Sequence, residues 1–191
     1  REVLALREQG LDVVTASIRQ TGPEHHRGPD EKQAAKDTFY ILAQAKNPLN
    51  LLRAQVVALS RPKRYFSALA TAWKMRPPGL KATLYQLFYF VEATVLAEHL
   101  LKTGVTHLHN HFTQGSCTVA LLTSKLAGIP YSISLHGPAD FEEPKRWRLD
   151  LKIAEAKFVA CISHFCRSQG MIHSHVNDWD KLTIVHCGVN P

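Results

Sequence analysis

The sequence predicts an α/β fold, a doubly wound parallel sheet with a helical insertion, and three observations lead to it. After Gly104, short runs of β-branched residues alternate with helical patterns, the rhythm of strands joined by helical crossovers. Before that point, residues 31–103 read as helix almost throughout, so a helical block is set into the alternating pattern. Histidines stand where several of the strands turn from apolar to polar, the end at which such a sheet binds its ligands.

Residues 1–9 read as a helix with Val3, Leu4 and Leu6 as its apolar residues and Gly10 as its stop. Residues 12–18 are β-branched enough for a strand, and 21–30, with two prolines and two glycines, form a loop. Prolines at 48 and 62 and the Pro77-Pro78-Gly79 triplet divide the helical block into four helices. The last, 80–102, places Leu84, Leu87, Phe88, Val91, Val95 and Leu96 at helical spacing and reads as a packed core helix. Strands follow at 105–109, 131–135, 158–162 and 182–185. Between them lie helices at 115–126, closed by Gly128, at 145–156, and after Ser163 as N-cap.

A chain of 191 residues with 45% hydrophobic and 20% charged residues is a single globular domain with a real core. Its most apolar stretch, 85–101, is broken by Gln86, Glu92, Glu98 and His99 and does not read as a membrane span. The four cysteines form no C-x-x-C pair, which favours reduced thiols and a cytoplasmic setting. The net charge of +7 is densest over 53–81, where Arg53, Arg61, Lys63, Arg64, Lys74, Arg76 and Lys81 meet no carboxylate. That stretch is either a solvated helix face or a surface for anionic headgroups, which adds peripheral contact with the inner face of the membrane to the expected partners. A phosphate-bearing substrate is a further partner for it. No nucleic-acid motif accompanies it, so nucleic acid is excluded as a partner.

The fingerprints of dinucleotide enzymes, P-loop ATPases and α/β-hydrolases are absent. His107, His109 and His111 lie at i, i+2 and i+4, which on a strand puts three imidazoles on one face and invites a metal-dependent hydrolase reading. Such H-x-H hydrolases are β/α barrels of about 250 residues, and the long helical block before the motif argues against one. The tract Ser134-Leu-His136-Gly-Pro-Ala-Asp140-Phe-Glu142-Glu143 sets a histidine at a strand end before a tight Gly-Pro turn and a cluster of acids. Its carboxylates either bond sugar hydroxyls or lie at a helix N-terminus.

Four stretches in order resemble the N-terminal domain of GT-B fold glycosyltransferases of family 4, the exopolysaccharide and colanic-acid type. They are EVLALREQGLDVV at 2–14, HLHNHFTQGSCTVALLTSKLAG at 107–128, the I-P-x-S-x-x-x-H-G-P-x-[DE]-F run at 129–141, and KLTIVHCGVNP at 181–191.

The resemblance implies a Rossmann-like, acceptor-side domain over 1–191, incomplete, with 31–103 as its helical insertion and the donor-binding C-terminal domain absent. It implies retaining transfer of a sugar from a nucleotide-sugar donor to a saccharide or lipid-linked acceptor in polysaccharide biosynthesis, with no metal and no further cofactor. By similarity His136 is the catalytic residue and contacts the donor sugar, and Gly137 lets the backbone approach it. His109, His111, Phe112 and Gln114 line the acceptor side, Asp140 and Glu142 contact acceptor hydroxyls, and Gly188 belongs to the interdomain hinge. The family's central strand would precede residue 1; without it the sheet is expected to carry a gap and the chain alone to transfer no sugar. A non-catalytic domain that binds a glycan or a protein partner is the remaining alternative.

Overall fold

The structure, a computed structural model, describes residues 2–22, 24 and 28–188. Its chain order is α1 (Glu2–Glu8), β1 (Ala16–Ser17), α2 (Pro29–Asp37), β2 (Phe39–Tyr40), α3 (Ile41–Ala45), α4 (Pro48–Leu59), α5 (Pro62–Met75) and α6 (Leu80–Thr103). There follow β3 (Leu108–His111), α7 (Gly115–Ala127), β4 (Tyr131–Leu135), α8 (Leu149–Glu155), β5 (Val159–Cys161), α9 (His164–Ile172) and β6 (Leu182–Ile184). The molecule is therefore mixed α/β with parallel sheets, compatible with a Rossmann-like fold. No helix among the described residues is long and apolar enough to cross a membrane.

The main sheet has the order β3-β4-β5-β6, every pair parallel, with α7, α8 and α9 as the crossovers. All of β4 and β5 is buried, as central parallel strands must be when both faces are covered. The far side of β3 carries no strand among the described residues, so the sheet has an open edge rather than an internal gap. The strand expected over 12–18 does not join this sheet. Only Ala16–Ser17 pairs, and it pairs in parallel with Phe39–Tyr40 as a separate ribbon.

That ribbon adds a break to the helical block that the prolines did not announce. Thr38 hydrogen bonds across to Thr15 at 2.9 Å, and the Phe39 ring stacks on His99 at 3.7 Å, so tertiary contacts override helical propensity there. The other breaks fall at the expected prolines, with the Asn47 side chain accepting from the Leu49 amide as N-cap. At the ends of α6 and α7, Gly104 and Gly128 take the left-handed conformation that stops a helix.

Two further expectations move. The strand expected at 105–109 forms three residues later, which takes His109 from the strand end to the second position of β3. The helix expected at 145–156 starts only at Leu149, because Arg148 sits at φ +50 and binds Asp150 and the Lys74 carbonyl.

The core lies in two clusters on either side of α7. One joins α7 to α4, α5 and α6 through small residues such as Ala54, Ala58, Ala68, Ala72, Ala93 and Ala97, which let the helices approach closely. The other joins α7 and α8 to the sheet through Leu121, Tyr131, Ile133, Leu135, Ile153 and Val159. Only the C-terminal half of α6 matches the expected core helix. Val95 and Leu96 are buried there, whereas Leu84, Leu87 and Phe88 in its first half are exposed.

Candidate functional site

The carboxyl ends of β3 and β4 bring the predicted histidines together. Parallel pairing sets His109 beside Ser132 and His111 beside Ser134. The hydroxyls use that register: His109 Nδ1 lies 2.7 Å from Ser132 Oγ and its Nε2 lies 2.9 Å from Ser134 Oγ. His107 Nε2 shares Ser132 Oγ at 2.8 Å. A hydroxyl has one proton to give, so Ser132 donates to one ring and accepts from the other, which couples the tautomer of His107 to that of His109.

Burial, then the neighbouring His111, pushes the pKa of His109 down to about 4 against the opposing pull of Glu2. Burial also lowers His111, again opposed by Glu2, and His107, where Lys157 adds to the effect. These rings are therefore neutral at physiological pH, each with one donor and one acceptor nitrogen.

The reactive end of the cluster is the contact between the two strand ends. His111 Nδ1 and His136 Nε2 are 2.8 Å apart, and the Phe112 ring centre is 4.9 Å from that of His136. His136 Nδ1 has no hydrogen-bond partner among the described residues and remains for a ligand. Phe112 holds φ +67 in the left-handed region, kept there by Asn110, whose amide donates to the carbonyls of His111 and Phe112. The residue is 48% exposed, so its ring is open to solvent at the mouth of the site.

Gly137, at φ +153, makes the turn that follows His136, with nothing within 4 Å of where a Cβ would stand. Backbone conformation alone requires glycine here.

Asp140 corrects one expectation. It is 2% exposed, and its Oδ2 accepts from the backbone amides of His136 at 2.7 Å and Gly137 at 3.3 Å. It braces the turn that carries His136 from a position closed to an acceptor hydroxyl, and its Oδ1, also buried, has no hydrogen-bond partner among the described residues. Glu142 stays exposed on the same loop. Gln114 does not point freely into the site either, since its side-chain amide donates to the Ala139 carbonyl at 2.7 Å. It ties the loop after β3 to the loop after β4, as does Thr113, whose hydroxyl donates to the Asp140 carbonyl.

Lys152 completes this bracing, and nothing in the sequence pointed to it. It is fully buried, and its ammonium donates to the carbonyls of Thr113 at 2.6 Å and Gln114 at 3.0 Å. Burial lowers its pKa to about 8, opposed by Cys117.

Gly188 is exposed beyond β6, and residues 189–191, the end of the fourth resembling stretch, lie outside the described residues.

For a cation, Glu2, His109 and His111 each offer a ligand atom, all within 4.8 Å of one another. His107, the third member of the expected trio, is not part of that group. No protein-family model matches the chain, and no curated protein matches it. The site is therefore read from its own residues.

Proposed function

We propose that this chain is the acceptor-side half of a retaining GT-B glycosyltransferase of polysaccharide biosynthesis, cytoplasmic and touching the anionic inner face of the membrane. The observation that carries the reading is the braced turn of His136 and Gly137, set against His111 and Phe112 at the carboxyl ends of two parallel strands. His136 acts through its unpartnered Nδ1 on a hydroxyl of the donor sugar, while His111 fixes the ring orientation through Nε2. The nucleotide diphosphate leaves from the donor side, across the cleft from His136. His111 and Phe112, and His109 behind them, form the wall met by the saccharide or lipid-linked acceptor.

The test is a transfer assay on the protein expressed from the full reading frame that contains this chain, with nucleotide-sugars as donors. His136→Ala is expected to lower kcat on the order of a hundredfold, because a donor that acts in the transition state is lost. The 191-residue chain alone is expected to turn over no donor. Turnover by the chain alone, or an unchanged kcat in His136→Ala, overturns the proposal.

A further inference from the structure

A cleft of about 310 Å³ opens away from the histidines, between the end of α5, the first half of α6, the start of α7 and the turn before α8. It reaches Thr118, one helical turn beyond Gln114, so it borders the segment that leads out of the candidate site. Three aromatic side chains line it, Tyr85, Tyr89 and Trp147. Its charged lining residues are Lys81 and Arg146, with no carboxylate in the lining itself and Glu143 paired to Arg146 from outside it.

Two groups in this cleft are under-used. Gln86 is 6% exposed and its buried amide nitrogen has no hydrogen-bond partner among the described residues, a state that is unfavourable until something satisfies it. Arg146 meets Glu143 through Nη1 alone, at 3.0 and 3.2 Å, which leaves Nη2 and Nε without a hydrogen-bond partner among the described residues. A guanidinium with a free edge matches a carboxylate or phosphate with two oxygens. The flat faces of Tyr and Trp suit the C–H face of a sugar ring, and a planar amide bonds its hydroxyls.

We infer that this cleft binds a sugar that carries an oxyanion, a carboxylate or a phosphate, as a further residue of the acceptor beyond the one met by the histidine wall. Arg146 and Lys81 take the anion, Gln86 takes ring hydroxyls, and Trp147 or a tyrosine covers the ring. The assignment to the acceptor rests on the glycosyltransferase reading; the binding itself does not.

The test is calorimetric titration of the chain with glucuronic acid, glucose 1-phosphate and glucose. At least one of the two anionic sugars is expected to bind ten times or more tighter than glucose. Binding of glucuronic acid alone assigns a uronic acid, and binding of glucose 1-phosphate alone assigns a phosphorylated sugar. Arg146→Ala with Lys81→Ala is expected to abolish the preference without changing the melting temperature. Gln86→Leu is expected to weaken every sugar that binds. No binding, equal binding of glucose, or a preference that survives the double variant overturns the inference. In the transfer assay, an anion preference in binding with no transfer defeats only the glycosyltransferase reading. Transfer to neutral and anionic acceptors alike defeats only the acceptor assignment.

Discussion

The strand ends and the helical wall of this protein treat their polar and apolar groups differently. At the ends of β3 and β4, histidines bond serines, buried Lys152 bonds two carbonyls, and Asp140 bonds two amides through Oδ2, with only its buried Oδ1 left unpartnered among the described residues. On the helical wall, α6 carries Gln86, Glu92 and His99, each with a buried side-chain atom that has no partner among the described residues. The same wall exposes large apolar side chains, among them Leu49 at 74%, Leu52 at 63%, Phe66 at 60% and Leu80 at 80%. Exposed apolar side chains above unpartnered buried groups make the wall the candidate contact surface, whereas the strand ends hold a preset geometry.

The comparison breaks most clearly at Asp140. Asp140→Ala leaves the amides of His136 and Gly137 without their acceptor inside a buried turn. The expected loss is about 3 kcal/mol of unfolding free energy, measured by urea denaturation. A loss below about 1 kcal/mol would mean that the turn holds without its carboxylate, and the strand ends are then no more self-contained than the wall.

Glu92 gives the next effect, and it has the opposite sign. Burial raises its pKa from 4.5 to about 7, against the pull of Arg19. The unfolded chain therefore loses this proton near 4.5 and the folded protein near 7, so stability falls as pH rises through that window. Glu92→Gln removes the charge and keeps the shape. It is expected to stabilise the protein by about 2 kcal/mol at pH 8 and to change little at pH 4, read from melting temperatures at both. Equal effects at the two pH values would show that the carboxylate is not the strained group on α6. Glu92 also borders an apolar cleft of about 730 Å³ lined by Ile18, Leu42, Phe88 and Arg19, so the stabilised variant tests whether that strain serves binding.

Much of this contrast was legible in the sequence at the level of elements, and little at the level of contacts. Prolines 48 and 62 and the Ser163 cap mark helix starts by local chemistry, and local chemistry was enough to find them. The ribbon at Phe39–Tyr40 was hidden because its cause, the stacking on His99, lies 60 residues away. Three histidines at alternate positions suggested one convergent trio. The register with Ser132 and Ser134 decides instead that His107 and His109 face serines while His111 turns to His136. The polar alternation Ser132, Ser134 inside an apolar strand was the available signal for those partners. Lys152 gave none, since a lysine on a short helix looks the same in sequence whether it is solvated or buried.

The smallest expected change in stability tests the wall as a docking surface. Along α4, Leu49, Leu52, Val56 and Leu59 recur at helical spacing and are all exposed, with Arg53 beside them; the sequence left Arg53 without a carboxylate, but the fold pairs it with Glu98 of α6 at 3.0 Å. On α5 the same holds for Phe66 and Trp73, with Lys63 and Lys74 nearby. Apolar side chains flanked by cations are the composition that partitions into an anionic lipid interface. Leu52 and Phe66 are mostly exposed, Phe66 keeping one edge contact with Tyr65, so replacing each with Asp is expected to change unfolding free energy by only about 0.5 kcal/mol. Co-sedimentation with vesicles of phosphatidylcholine and phosphatidylglycerol is expected to fall about tenfold in the double variant, a loss of about 1.4 kcal/mol. Binding by the unmodified chain is also expected to weaken as salt is raised, because screening shortens the reach of the cations. Vesicle binding that ignores both the substitutions and the salt would leave the wall without this partner, and the orphaned groups of α6 would then answer only to the sugar cleft.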